Sequence, residues 1–185
     1  MSDYRRYFIA GGTYFFTVVT YDRRPILTTD AGRAFLRKAI KEIQQRRPFS
    51  LIATVLLPDH WHLVMGLPPR DIRYSIRMKR IKEEFTTAWL TAGLSEAKVT
   101  PAQARKGERG IWQPRYWEHT IDDEEELDSC VDYIHWNPRK HGYVNRVRDW
   151  PWSSFHRFVL EGHYDVEWGG TEPEYKIDID DWGEP

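Results

Sequence analysis

The hydrophobic positions along the chain change period several times, and each change marks an element. Residues 13–21 (TYFFTVVTY) are rich in β-branched and aromatic side chains and predict a strand. From Asp30, a residue able to cap a helix, the apolar positions Phe35, Leu36, Ala39, Ile40 and Ile43 recur on one side and predict a helix to about Arg47. Residues 49–57 (FSLIATVLL) predict a second strand, ended by the turn pair Pro58-Asp59. Residues 60–67 (HWHLVMGL) predict a third, its antiparallel neighbour. Ile72, Ile76, Ile81, Phe85 and Trp89 return to near-helical spacing, giving a second helix over 72–90 with Gly93 as its stop. The polar stretch 95–110 reads as a mobile loop and 111–121 (IWQPRYWEHTI) as a last strand interrupted by Pro114. The acidic run 122–126 suits a helix N-terminus; that helix continues through Leu127, Cys130, Val131 and Ile134 and is expected to end at Pro138. A short amphipathic segment over 152–160 closes the body. Strands alternating with helices around tight hairpins predict an α+β fold in which one antiparallel sheet is covered by helices.

Composition narrows the class. The 185 residues show no linker-like stretch before residue 160 and are expected to form one domain over 1–160, with a separate tail over 161–185. Hydrophobic residues make up 41%, and no run approaches the ~18 apolar residues that cross a bilayer. The opening MSDYRRYFIAGG has too short an apolar stretch to be expected as a secretory signal. The single cysteine, Cys130, cannot form an internal disulfide, which suits a cytoplasmic protein. The formal net charge of −1 hides a division, since residues 1–160 hold 26 basic against 19 acidic residues and residues 161–185 hold 1 against 9. A body of +7 with clusters at 4–6, 23–24, 77–82 and 105–109 is what a polyanion-binding face needs, although solvated helix faces and loops give the same pattern. The tail of −8 suits occupation of such a face as a polyanion mimic, and equally a frayed or surface-packed terminus.

The chemistry concentrates in two places. On a strand, His60 and His62 project to the same side, where two neutral imidazoles can grip Mg²⁺, Mn²⁺ or Zn²⁺. The same H-x-H pattern also fits a pair of hydrogen-bonded histidines, and the pattern alone does not choose. In the helix over 122–137, Tyr133 and Asn137 are four apart and share a face. That puts a phenol beside a carboxamide able to complete a metal shell. A tyrosine of pKa about 10 needs a nearby cation or base to act as a nucleophile at neutral pH.

Several motifs in order, GGTYFFTVVTYDRRPIL, LPDHWHLVMGLP, GIWQPRYWEHTI, DYIHWNPRKHGYV and DWPWSSFHRFV, resemble the REP-associated tyrosine transposases, a branch of the single-tyrosine HUH transposases. The resemblance covers almost the whole body and implies a ferredoxin-like sandwich forming a single catalytic domain. It also implies a divalent metal, Mg²⁺ or Mn²⁺, on His60 and His62, with Asn137 where the family's third ligand lies and Tyr133 as nucleophile. The implied activity is cleavage and rejoining of single-stranded DNA at hairpin-forming palindromic repeats through a 5′-phosphotyrosine. A monomer near the nucleoid is implied, with a dimer sharing active sites as the alternative. Arg5, Arg6, Arg77, Lys79, Arg80, Arg115, Arg139 and Lys140 are the candidate phosphate contacts, whereas His119 and His135 are expected to be structural or to touch DNA. Pro114 and Asp122 stand where the family often has basic residues, which puts a phosphate contact at either position, and with it the activity or the repeat recognised, in doubt. Two rival classes share these features: a hairpin-binding regulator without chemistry, and a metal-dependent hydrolase that does not need Tyr133.

Overall fold

The computed structural model describes residues 9–175, so Arg5 and Arg6 lie outside the described residues. Four antiparallel strands, β1 (Thr13–Val19), β2 (Ser50–Leu56), β3 (His60–Gly66) and β4 (Trp117–Ile121), form one sheet in the order β2-β3-β1-β4. The described helices are α1 (Asp30–Arg46), α2 (Tyr74–Thr91), α3 (Pro101–Arg105), α4 (Glu124–Lys140) and α5 (Phe155–Leu160). The succession β1-α1-β2-β3-α2-β4 is the ferredoxin-like plan, with α1 and α2 side by side on one face of the sheet. An added helix, α4, lies across β2 and β3 on the other face.

Alternation along the strands builds a core on each face. Tyr14, Phe16, Val18, Trp61, Leu63 and Met65 point toward α1 and α2. Phe15, Ala53, Val55, Val64 and Ile121 point toward α4. Because both faces are covered, β1 reads as an almost continuous apolar run. Each fully buried side chain of this kind contributes on the order of 1.5–3 kcal/mol. No described helix is long and apolar enough to cross a membrane.

The element boundaries depart from expectation where local chemistry decides. The cap of α1 is Thr29, whose side chain accepts from the Gly32 N–H, and Asp30 is the first helical residue. Ile72 lies ahead of α2 and is 43% exposed, while Gly93 ends that helix with φ of +73°. The stretch 95–110 is not a plain loop: Thr100 and Gln103 form a reciprocal capping box that starts α3. The last strand begins only at Trp117, and Trp112 makes a single bridge to Thr20. Pro138 does not end α4. It sits in the last turn, where its missing N–H removes only the bond to the Ile134 carbonyl, and the helix runs on to Lys140.

A buried lysine holds α2 to the chain before β4. Lys82 Nζ donates to the Gln113 carbonyl at 2.8 Å, and burial pushes its pKa down to about 8, with Glu108 acting weakly the other way. The unfolded chain therefore binds more protons between pH 8 and 10.5. The penalty is fully present below pH 8 and fades as the pH rises toward 10.5. Lys82→Met is expected to raise the unfolding free energy at neutral pH by about 2 kcal/mol, after subtracting one lost hydrogen bond. Urea denaturation near pH 7 and near pH 10.5 checks this, because an equal gain at both would show that charge burial is not the cause.

Candidate active site

The register of the sheet sets the histidines. β1 and β3 pair Thr17 with His62 and Val19 with His60, and both imidazoles lie on the α4 side with no exposed surface. Their ring centroids are 4.9 Å apart with planes at 80°. His60 Nδ1 lies 2.7 Å from Asp59 Oδ1. An ionised carboxylate only accepts, so Nδ1 donates and the lone pair resides on Nε2. His62 Nδ1 is anchored in turn by Thr17 Oγ1 at 2.9 Å. Neither Nε2 has a hydrogen-bond partner among the described residues. Two buried nitrogens left this way are costly unless something binds them. Two imidazoles held through Nδ1 by neighbours, with Nε2 available, fit the donor set of a metal site.

The electrostatics keep the His62 ring neutral, which is the form that ligates. Burial lowers the pKa of His62 well below the ordinary value, and the charges of His60, His141 and Lys140 act in the same direction. His141, whose ring is 5.0 Å from His60, is pushed down to about 4 by burial and by His60 and Lys140. For Asp59 burial favours the neutral acid, but the hydrogen bond and charge of His60 and the charge of Arg23 outweigh it and hold the pKa low. Among the described residues no group of three or more His, Cys, Asp or Glu could hold an ion.

Helix α4 brings up the rest. It starts at Asp123, which accepts from the Glu126 N–H at 2.8 Å, and it carries Glu124–Glu126 in the first turn and Arg139 and Lys140 in the last. Both ends complement the helix dipole. Tyr133 is fully buried, with its ring 5.4 Å from that of His62 and 5.8 Å, edge-on, from Phe15. Lys140 Nζ stands 4.9 Å above the Tyr133 ring. Asn137, one turn after Tyr133, is also fully buried. His135 fastens this helix to β2: its Nε2 lies 2.8 Å from Ser154 Oγ, which accepts from the Thr54 N–H. Burial first, then the charges of Arg157 and His156, push its pKa down to about 3, so it is a neutral structural group.

The basic candidates separate. Arg77 is 2% exposed, and its guanidinium is occupied by the carbonyls of Arg47, Pro48 and Arg73 and by Asp71. It ties α2 to the chain before β2, and no phosphate can reach it without unfolding that corner. Lys79 and Arg80 are exposed on α2, on the opposite side of the sheet from Tyr133, and both pair with Glu83. Arg115 is exposed ahead of β4. Arg139 donates to the Gly169 carbonyl, and Lys140 remains beside Tyr133. His119 is held by Glu126 at 2.6 Å and stacks on Trp117.

Three residues escaped the sequence reading. Asp59 read only as a turn residue, yet it supports His60. It is itself gripped by Arg23 Nε at 2.9 Å from a turn in which Asp22 and Arg23 both have φ of +51°. Non-glycine residues in that region cost about 1–3 kcal/mol each and gather at functional sites. The signal for Asp59 was its position next to H-x-H. Thr17 needed the register of two strands far apart in sequence. His141 carried a signal in its spacing, four after Asn137.

The first part of the acidic segment packs along α4. Tyr164 donates to Asp132, Glu167 pairs with Arg148, and the Tyr175 ring lies 6.0 Å from that of Tyr133.

Comparisons with known proteins bear on this geometry. Residues 9–137 match the family model described as "Transposase IS200 like". A Haemophilus influenzae chain provisionally named a REP-associated tyrosine transposase is 46% identical over 177 residues, covering 96% of this chain and 98% of its own length. The REP-associated tyrosine transposase of Escherichia coli K12 is 42% identical over 175 residues, 95% of each chain. The solved structure of a REP-associated tyrosine transposase bound to a REP hairpin superposes with a TM-score of 0.76. It is 41% identical and covers 95% of this chain and 96% of its own.

Proposed function

The chain belongs to the IS200-like transposase family, in its REP-associated tyrosine branch, and we propose that it cleaves and rejoins single-stranded DNA at hairpin-forming repeats using Tyr133. One observation carries this reading: the Tyr133 ring meets His62 at 5.4 Å, beside two buried imidazoles whose Nε2 atoms have no partner among the described residues. The relative bound to a REP hairpin supports hairpin DNA as the substrate here too.

In the proposed reaction the Tyr133 oxygen bonds to phosphorus as the bond from phosphorus to the 3′-oxygen breaks. The phenol gives up its proton and the departing 3′-oxygen gains one, so one phosphodiester replaces another without loss of bond energy. Another 3′-hydroxyl can then reverse the step and join strands. Lys140, above the ring, favours the negative charge that builds on the phenolic oxygen. Asp59 and Thr17 orient the imidazoles. A divalent ion, Mg²⁺ or Mn²⁺, held by His60, His62 and Asn137 would supply Lewis-acid neutralisation of the scissile phosphate. Tyr133 packs against His62 of its own chain, which supports a site complete within one chain and action as a monomer. Lys140, Arg139 and Arg115 are the proposed phosphate contacts, with Lys79 and Arg80 restricted to DNA that passes behind the sheet.

The test is to incubate the protein with labelled hairpin single strands and Mn²⁺, resolve it on a denaturing gel, and map any DNA-linked peptide. A nucleotide on Tyr133 is expected. Cleavage without a protein adduct points instead to the hydrolase, and hairpin binding without cleavage to the regulator.

The acidic segment carries a prediction of its own. Cutting after Leu160 would strip Tyr164 and Trp168 from Phe155, so the cleaner truncation is after Gly170, which removes six carboxylates and the contact of Tyr175 with Tyr133. If the segment occupies the DNA face, this truncation raises hairpin affinity several-fold at low salt. Equal affinity of the truncated and full chains in a titration rejects the idea.

A further inference from the structure

On the side of the sheet away from Tyr133, α2 and residues 107–116 enclose a groove of about 570 Å³. We propose that this groove binds a free α-amino acid with a large apolar side chain, its carboxylate taken by Lys82 and the Trp112 indole N–H and its ammonium by Glu108. The site is independent of the strand-transfer reading above.

The first observation is how the charges pair. Lys79 is bonded to Glu83 and Arg109 to Glu96, so the outer charges of the groove are already matched. Lys82 and Glu108 line the same space, yet no ion pair joins them among the described residues. Glu108 is near enough to favour the charged form of Lys82 without bonding to it. Its Oε2 atom is buried and has no hydrogen-bond partner among the described residues. Lys82 Nζ donates to the Gln113 carbonyl at 2.8 Å and, as an ammonium, has donors to spare. A cation and a carboxylate held apart in this way suit a molecule that carries both charges.

The second observation is Trp112. It is 6% exposed, and its Nε1–H, which can only donate, has no acceptor among the described residues. The ring is fixed in place by Phe85, edge-on at 4.9 Å, and by the backbone bridge to Thr20. A buried donor left unmet is costly, and a carboxylate oxygen relieves it.

The third is the apolar wall. Leu90, Trp112, Pro114 and Tyr116 border the charged groups and offer a surface for a ring or a branched chain. Other occupants fit less well. A nucleic-acid strand would bring its phosphates against Glu83 and Glu108, and a simple carboxylate would leave Glu108 unanswered.

Thermal unfolding and calorimetric titration of the full chain with L-phenylalanine, L-tryptophan and L-leucine test this. At least one is expected to raise the unfolding midpoint by about 3–5 °C at ten times its Kd. Its N-acetyl derivative, which lacks the cation, and its amide, which lacks the anion, should each bind at least about tenfold more weakly. Lys82→Met, which the fold tolerates, and Glu108→Gln should each cause a loss of that size. Trp112→Phe keeps a ring and removes the N–H, for a loss of about three- to tenfold. In Glu108→Gln the free and N-acetylated ligands should differ by no more than about twofold, which ties the ammonium to that carboxylate. At pH 8, wild-type protein should take up more protons on binding than Lys82→Met, because a bound anion restores the charge that burial disfavours. Buffers of different ionisation heat read this. No midpoint shift with any of the three at about 10 mM, blocked derivatives that bind as tightly as the free amino acid, or variants with wild-type affinity each overturn the proposal. The Tyr133 adduct, assayed without added amino acid, stands or falls separately.

Discussion

Tyr133→Phe is expected to abolish the covalent DNA adduct and to lower strand cleavage by at least about 10⁴-fold, the scale of losing a nucleophile. The substitution removes one oxygen and keeps the ring, so the contacts with Phe15, His62 and Lys140 persist. Unfolding free energy should therefore shift by no more than about 1 kcal/mol, and hairpin affinity by less than about threefold. A gel-shift titration and a single-turnover cleavage assay on the same preparation separate binding from chemistry. The decisive contrary result is a variant that still cuts at the wild-type rate and releases a free 5′-phosphate, because water would then be the nucleophile.

The second large effect concerns the imidazoles. His60→Ala and His62→Ala should each weaken Mn²⁺ binding by about 100-fold or more, since losing even an outer-shell partner of a metal ligand costs about 10–100-fold. Calorimetric titration of Mn²⁺ without DNA reads this independently of activity. Asp59→Asn belongs to the same series. Its amide oxygen can still accept from His60 Nδ1, but the charge is gone, so an intermediate loss within about 10–100-fold is expected. Were all three variants to bind Mn²⁺ like the wild type, the histidine pair would be a hydrogen-bonding element of the core, and the role of Tyr133 would need another source of charge neutralisation.

Part of this was legible in the residues. His60 and His62 alternate with Trp61 on a strand, so their common side follows from the period of two. Tyr133 and Asn137 share a helical face because a turn is 3.6 residues long. The strand and helix sequence follows from patterning, because burial against a sheet or a helix demands those repeats. Boundaries were harder, since caps decide them. Thr29 outcompetes Asp30 through one hydrogen bond to Gly32, and Thr100 with Gln103 starts a helix too short to show an apolar period.

Charge was the weakest guide. Arg77 sits in a basic run with Lys79 and Arg80 and shares their chemistry, yet it is buried among carbonyls while they face solvent. That difference comes from which side of α2 meets the turn at Pro48, a packing relation invisible to composition.

Local chemistry, then, fixes which groups exist and which side of their own element they occupy: two imidazoles on one strand face, a phenol and an amide on one helix face. Long-range packing brings those faces together. Register across β1 and β3 supplies Thr17 to His62, the strained turn at Asp22–Arg23 supplies a cation to Asp59, and α4 lies across the sheet with Tyr133 over His62. The physical reason is range. Backbone periodicity acts over one or two turns, whereas contacts between residues 17, 62 and 133 exist only after the chain has closed loops of dozens of residues around a shared core.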